Sequence, residues 1–95
     1  MQIENEKRLE SKLTDKVKAL GGGSIKLLST HTTGLPDRIC LFPGGRILFI
    51  EVKTTRKKPT KIQSLVHDKL RSLGFRVEVI DTSEQLEKII REYEV

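Results

Sequence analysis

Apolar residues recur at three- and four-residue steps through Leu9, Leu13, Val17 and Leu20, which predicts a helix over residues 5–20 with one buried stripe. The glycine triplet at 21–23 ends it. Residues 24–29 read as a first strand, and residues 30–36 as a polar loop closed by Pro36. A second strand over 37–42, a Pro43-Gly44-Gly45 turn and a third strand over 46–53 follow. Ile47 and Phe49 alternate with Leu48, Ile50 and Val52, so both faces of the third strand are apolar. Such a strand is expected to be central and covered by helices on both sides. Thr60 opens a second helix, expected to turn Ile62, Leu65, Val66, Leu70 and Leu73 inward and to end at Gly74. A strand over 76–80 and a helix over 83–93 carrying Leu86, Ile89 and Ile90 complete the pattern. The prediction is an α/β fold with residues 1–95 as a single domain in the order α-β-β-β-α-β-α. Its four-stranded sheet is mixed and flanked by helices, and the helix between the last two strands makes a crossover between parallel neighbours.

Asp37, Glu51 and Lys53 interrupt these apolar strands. If Pro43, Gly44 and Gly45 form a three-residue loop, Phe42 pairs with Arg46, and counting back places Asp37 directly opposite Glu51. Their Cβ atoms would then lie about 5 Å apart. A two-residue Gly-Gly loop would instead set Asp37 against Val52 and send the acids to opposite faces. A shared metal site therefore requires the odd-length loop or a compensating bulge. Lys53 projects from the Glu51 face, because side chains alternate with a period of two.

Composition narrows the classes. With 18 Lys+Arg against 13 Asp+Glu the net charge is +5, which favours a polyanionic partner, although simple solubility fits nearly as well from charge alone. Cys40 is the single cysteine, so neither an internal disulfide nor a cysteine zinc site can form, and its apolar strand makes it a small buried hydrophobe. No run of residues approaches the length of a membrane-spanning helix, and the polar start has no signal-peptide core; a cytoplasmic protein is expected. A chain of 95 residues sits near the lower limit for one self-sufficient core, so a homodimer is expected on physical grounds. Four aromatic residues without basic interleaving argue against a single-strand stacking platform. His31 and His67 lack ligand spacing and read as polar loop and helix-surface residues.

Buried acids cost several kcal/mol unless paired or bound to metal, on the order of the desolvation penalties of ions in proteins. Asp37 and Glu51 offer hard oxygens, which suit Mg²⁺ or Mn²⁺. Lys53 could orient a water or meet charge developing on a phosphate. Spacing alone leaves a strand-end ion pair of Lys53 with Glu51 or Asp37 equally open. Glu10 borders the apolar stripe of its helix and, from the helix alone, is an ordinary exposed glutamate. Thr60-Lys61-Ile62-Gln63 is a capping box, which would by itself explain the glutamine.

Gly34-Leu35-Pro36-Asp37 followed by Glu51-Val52-Lys53 resembles the PD-(D/E)xK nuclease signature, and the element order resembles that superfamily's restriction-endonuclease-like core. More narrowly, Gly34 to Arg38, Phe49 to Lys53, Gln63 opening a helix, Arg8-Leu9-Glu10, Gly21-Gly22 and Gly74 to Val77 are similar to the VRR-NUC (virus-type replication–repair nuclease) family, small stand-alone members included. The resemblance implies that Asp37, Glu51 and the Val52 carbonyl ligate a metal, that Lys53 assists the attacking water, that Glu10 is a further acid near the metal, and that Gln63 belongs to the active site. It implies a Mg²⁺-dependent DNA endonuclease of phage replication and repair, with branched DNA such as four-way Holliday junctions as the expected substrate. A less selective flap or nicking nuclease, and a DNA-binding module without useful catalysis, are the alternatives. Lys26, Arg38, Arg56, Lys57, Lys58 and Lys61 are the expected phosphate contacts.

Overall fold

The computed structural model describes residues 5–28, 31–54 and 57–94. Helix α1 (Glu6–Ala19) starts at Asn5, whose side chain accepts the Arg8 N–H at 2.8 Å and so satisfies one of the free amides of the first turn. Strands β1 (Gly23–Lys26), β2 (Arg38–Phe42) and β3 (Arg46–Val52) follow, then α2 (Lys61–Ser72), β4 (Arg76–Ile80) and α3 (Ser83–Arg91). The sheet order is β1-β2-β3-β4; the first two pairings are antiparallel and β3 runs parallel to β4. The α-β-β-β-α-β-α order and the mixed sheet are those expected, and β3 is a central strand. Among the described residues no helix is long and apolar enough to cross a membrane.

Phe42 pairs with Arg46 and Arg38 with Ile50, so the β2–β3 hairpin closes on the three-residue loop. Gly44 and Gly45 take φ values of +83° and +74° there, which larger residues resist. β1 is shorter than the expected 24–29 span: its ladder stops at Lys26, and Ser29 lies outside the described residues. Its partner ends at Arg38 because buried Pro36 has no N–H to give. The last link is Leu27 N–H donating to the Asp37 carbonyl at 2.8 Å.

One face of the sheet holds the core. Leu9, Leu13 and Val17 of α1 and Leu86, Ile89 and Ile90 of α3 pack on Cys40, Phe42, Leu48, Ile50, Val52 and Ile80. Burial pushes the Cys40 thiol up to about 11, as befits an inert core residue. Tyr93 stacks on Phe42 with ring centroids 4.3 Å apart, and Arg46 lies over both rings while donating to the Tyr93 carbonyl, which ties the chain end to the sheet.

The other face departs from expectation. The backbone of α2 lies against β4 and reaches β3 through Gln63 and His67 at Glu51, so the rest of this face of β3 is not covered by a helix. The expected inward set of α2 is split: Ile62, Leu65 and Leu73 are 54 %, 62 % and 61 % exposed, whereas Val66 and Leu70 are half-buried. The residue that α2 buries completely is His67, which is therefore not a surface residue. Gln63, Val66, His67 and Leu70 form a row at helical spacing, and that row faces inward because two of its members meet Glu51.

Candidate active site at the ends of β2 and β3

Asp37 immediately precedes β2 and, by the register, falls opposite Glu51 near the end of β3. Its backbone carbonyl is taken by Leu27, and its side-chain Oδ2 accepts the Val52 N–H at 2.8 Å. In an extended strand the N–H and C=O of one residue point to the same edge. The Val52 carbonyl is therefore directed to the Asp37 side as well, where the β2 ladder has ended.

Glu51 is 1 % exposed. Its Oε2 meets Lys53 Nζ at 2.9 Å and accepts from Gln63 Nε2 at 3.2 Å. Its Oε1 is enclosed and has no hydrogen-bond partner. The strand-end ion pair left open by the spacing thus exists, inside the site rather than at the surface. Burial holds the Glu51 carboxyl above its ordinary value against the pull of Lys53, and the charge of Asp37 adds to the rise. Asp37 is raised in the same way, by burial first and also by the charges of Glu10 and Glu6, opposed by the Val52 N–H and Lys53. His67 is held below its ordinary value by burial and by the positive charges of Arg71 and Lys53, so its ring is neutral at neutral pH.

Both carboxylates are thus short of compensating positive charge, and one enclosed oxygen has nothing bound to it. A hard divalent cation fits that deficit. Among the described residues no three His, Cys, Asp or Glu side chains form a ready cage. The donors that could hold such an ion are Asp37, Glu51 and the Val52 carbonyl, which would form an incomplete shell of the kind Mg²⁺ accepts because it retains several waters.

Gln63 does two things at once. Its Oε1 accepts the Thr60 N–H at 3.0 Å, completing the capping box with Thr60 Oγ1, while its Nε2 reaches Glu51. Glu10 leans over the sheet, but its Oε1 is held by Arg38 Nε at 3.1 Å, with Lys26 Nζ at 4.0 Å. Lys26 and Arg38, expected at phosphates, therefore both lie against Glu10. Lys57, Lys58 and Lys61 are exposed beyond the end of β3, and Arg56 lies outside the described residues.

Two residues escaped sequence reasoning. Glu6, one turn before Glu10, accepts the Thr54 N–H at 3.1 Å, which secures α1 to the backbone just past Lys53. The shared i, i+4 row was the available signal. His67, one turn beyond Gln63, sits with Nε2 3.9 Å from Glu51 Oε1. Its spacing from Gln63 was legible; its burial was not.

Comparison with known proteins gives a consistent result. No family model matches the chain. "Putative nuclease p44" of Acyrthosiphon pisum secondary endosymbiont phage 1 is 37 % identical over 84 residues, covering 88 % of this chain and 90 % of that protein. A solved VRR_NUC domain superposes with a TM-score of 0.87 at 34 % identity, over 93 % of this chain and 96 % of that one.

Proposed function

The chain belongs to the VRR-NUC nuclease family, and on that footing we propose that it is a Mg²⁺- or Mn²⁺-dependent endonuclease of DNA, acting by preference on branched substrates such as four-way junctions. The reading rests on buried Glu51, which lies opposite Asp37, is paired to Lys53 at 2.9 Å and carries an enclosed oxygen with no partner. A divalent cation bound there would polarise the scissile phosphate and supply an ionisable water. Asp37, Glu51 and the Val52 carbonyl would hold it. Lys53 Nζ, 2.9 Å from Glu51 Oε2, would orient the attacking water and meet charge that develops on the phosphoryl oxygens. Glu10 and Glu6 add negative charge on the α1 side of Asp37, which favours retention of a cation. Gln63 keeps the Glu51 carboxylate in place. Lys57, Lys58 and Lys61 would bind flanking phosphates, with Lys26 and Arg38 joining them where Glu10 releases them. The proposed enzyme acts in replication or repair in the cytoplasm of a bacterium or phage-infected cell, and the phage source of the relative is consistent with that setting.

End-labelled junction, flap and plain duplex DNA, incubated in Mg²⁺, Mn²⁺ or EDTA, test this. The expected result is paired symmetric nicks in the junction, absent in EDTA. Equal cutting of all three keeps the nuclease and removes the junction preference. No cutting with junction binding intact leaves a DNA-binding module.

The proposed enzyme is a homodimer. Support comes from the exposed row Ile62, Leu65 and Leu73 on α2 beside Phe75, and from Ile25 and Leu41 on the uncovered sheet face. Exposed apolar patches mark protein–protein contacts. Sedimentation equilibrium at micromolar concentration should give twice the 10.8 kDa chain mass, and Leu65→Glu should give one chain mass. A monomeric wild type would remove the dimer.

A further inference from the structure

Glu51 and His67 leave an unusual gap between them. Each is 1 % exposed, and the facing atoms Glu51 Oε1 and His67 Nε2 are 3.9 Å apart without a partner on either side. Buried polar atoms in folded proteins are nearly always partnered. The separation is beyond hydrogen-bond reach, and too short for a bridging water, which needs roughly 4.5–5.5 Å between the atoms it joins. A shift of about 1 Å closes it to a direct bond. The carboxylate is the natural mover, since the ring is enclosed on a helix whose start is fixed by the Thr60–Gln63 capping box.

We infer that His67 is a positioning residue for Glu51: its Nε2–H closes on Glu51 Oε1 when the site is loaded and sets the plane of the carboxylate. Gln63 and His67 lie four residues apart on one face of α2, so the helix delivers one donor to each carboxylate oxygen, Gln63 Nε2 to Oε2 and His67 Nε2 to Oε1. Each carboxylate oxygen has a second lone pair, so the His67 bond leaves Oε1 able to bind metal. Outer partners of this kind orient ligating carboxylates, and their loss typically weakens metal binding or activity about 10–100-fold. The inference rests on the metal-site reading above.

His67→Gln and His67→Met separate this from packing, because the two side chains are close in size and only Gln carries an N–H donor able to reach Oε1. Mn²⁺ binding by calorimetry, the Mn²⁺-induced rise in unfolding temperature, and junction cleavage are measured on all three proteins. His67→Met is expected to bind Mn²⁺ and cleave about 10–100-fold less well than wild type, with His67→Gln recovering most of both. Equal binding and cleavage by the two variants, or a Met variant matching wild type, overturns the inference and leaves the metal site standing. A wild type that binds no Mn²⁺ overturns the metal site and the inference together. Should the Met variant not fold, a Gln variant as weak in Mn²⁺ binding as Glu51→Gln also overturns it.

Discussion

Asp37→Asn is expected to lower DNA cleavage about a thousandfold, ~4 kcal/mol of barrier, while making the metal-free protein more stable at neutral pH. Asparagine keeps an oxygen to accept the Val52 N–H, which Asp37 takes at 2.8 Å, but loses the charge that would attract a cation. The stability change follows from burial and the neighbouring acids Glu10 and Glu6, which hold the Asp37 carboxyl above its ordinary value. The folded state then binds a proton more readily than the unfolded chain. Stability therefore falls as pH rises from the unfolded carboxylate value, about 3.9, to the raised folded one, and the deficit persists at neutral pH. The substitution removes this deficit and also the repulsion that raises Glu51. His67 runs the other way, because its depressed pKa weakens the fold as pH drops below about 6.5. That contribution is common to wild type and variant, so the difference between them isolates the carboxylates. Thermal unfolding in EDTA should show the variant melting higher at pH 7, with the gap closing as pH approaches 4. A variant that melts lower at pH 7, or that still cleaves in Mg²⁺, would contradict the charge-deficient site.

Gly34→Ala should lower stability by about 2–4 kcal/mol, combining backbone strain with a clash. Gly34 has φ +86°, and a Cβ there would sit 2.8 Å from the Ile62 carbonyl oxygen, 2.8 Å from Val66 Cγ2 and 2.9 Å from Ile62 Cγ2. In a domain of this size that loss corresponds to a fall in unfolding temperature of roughly 10–25 °C. Gly45→Ala provides the comparison, since Gly45 also has positive φ, at +74°, but open space around its would-be Cβ. Only backbone strain of about 1–2 kcal/mol is expected there. The contact matters to the site because Gly34 lies three residues before Asp37, and Ile62 and Val66 flank Gln63 on α2. If α2 moves away to relieve the clash, Gln63 leaves Glu51, so cleavage should fall even at temperatures where the variant stays folded. A Gly34→Ala protein as stable as Gly45→Ala would show that the loop and α2 are not in firm contact.

Much of this was legible in the residues. The stripe Leu9, Leu13, Val17 could only face one core, and the three-residue loop forced Asp37 opposite Glu51 because the strand period allows two outcomes and no others. The PD…ExK spacing then pointed to the nuclease family that comparison supports. α2 was not legible, because it carries two apolar rows, Ile62–Leu65–Leu73 and Val66–Leu70, and periodicity cannot say which one turns inward. Nor was the partial cover of β3, since an apolar strand face looks the same whether a helix or a second chain lies on it.

Local sequence determined what depends on neighbours in the chain: element order, the capping box, and the two registers open to the hairpin, of which the three-residue loop sets Asp37 opposite Glu51. The tertiary structure alone decided what depends on how distant elements are set against one another. It turned α2 so that Gln63 and His67 meet Glu51, gave Glu10 to Arg38 and Lys26, and brought Glu6 to Thr54. The physical reason is that a buried acid requires specific partners. α2 turns Gln63 and His67 toward Glu51 and leaves Ile62 and Leu65 exposed, an outcome that a hydrophobic pattern read one helix at a time has no means to register.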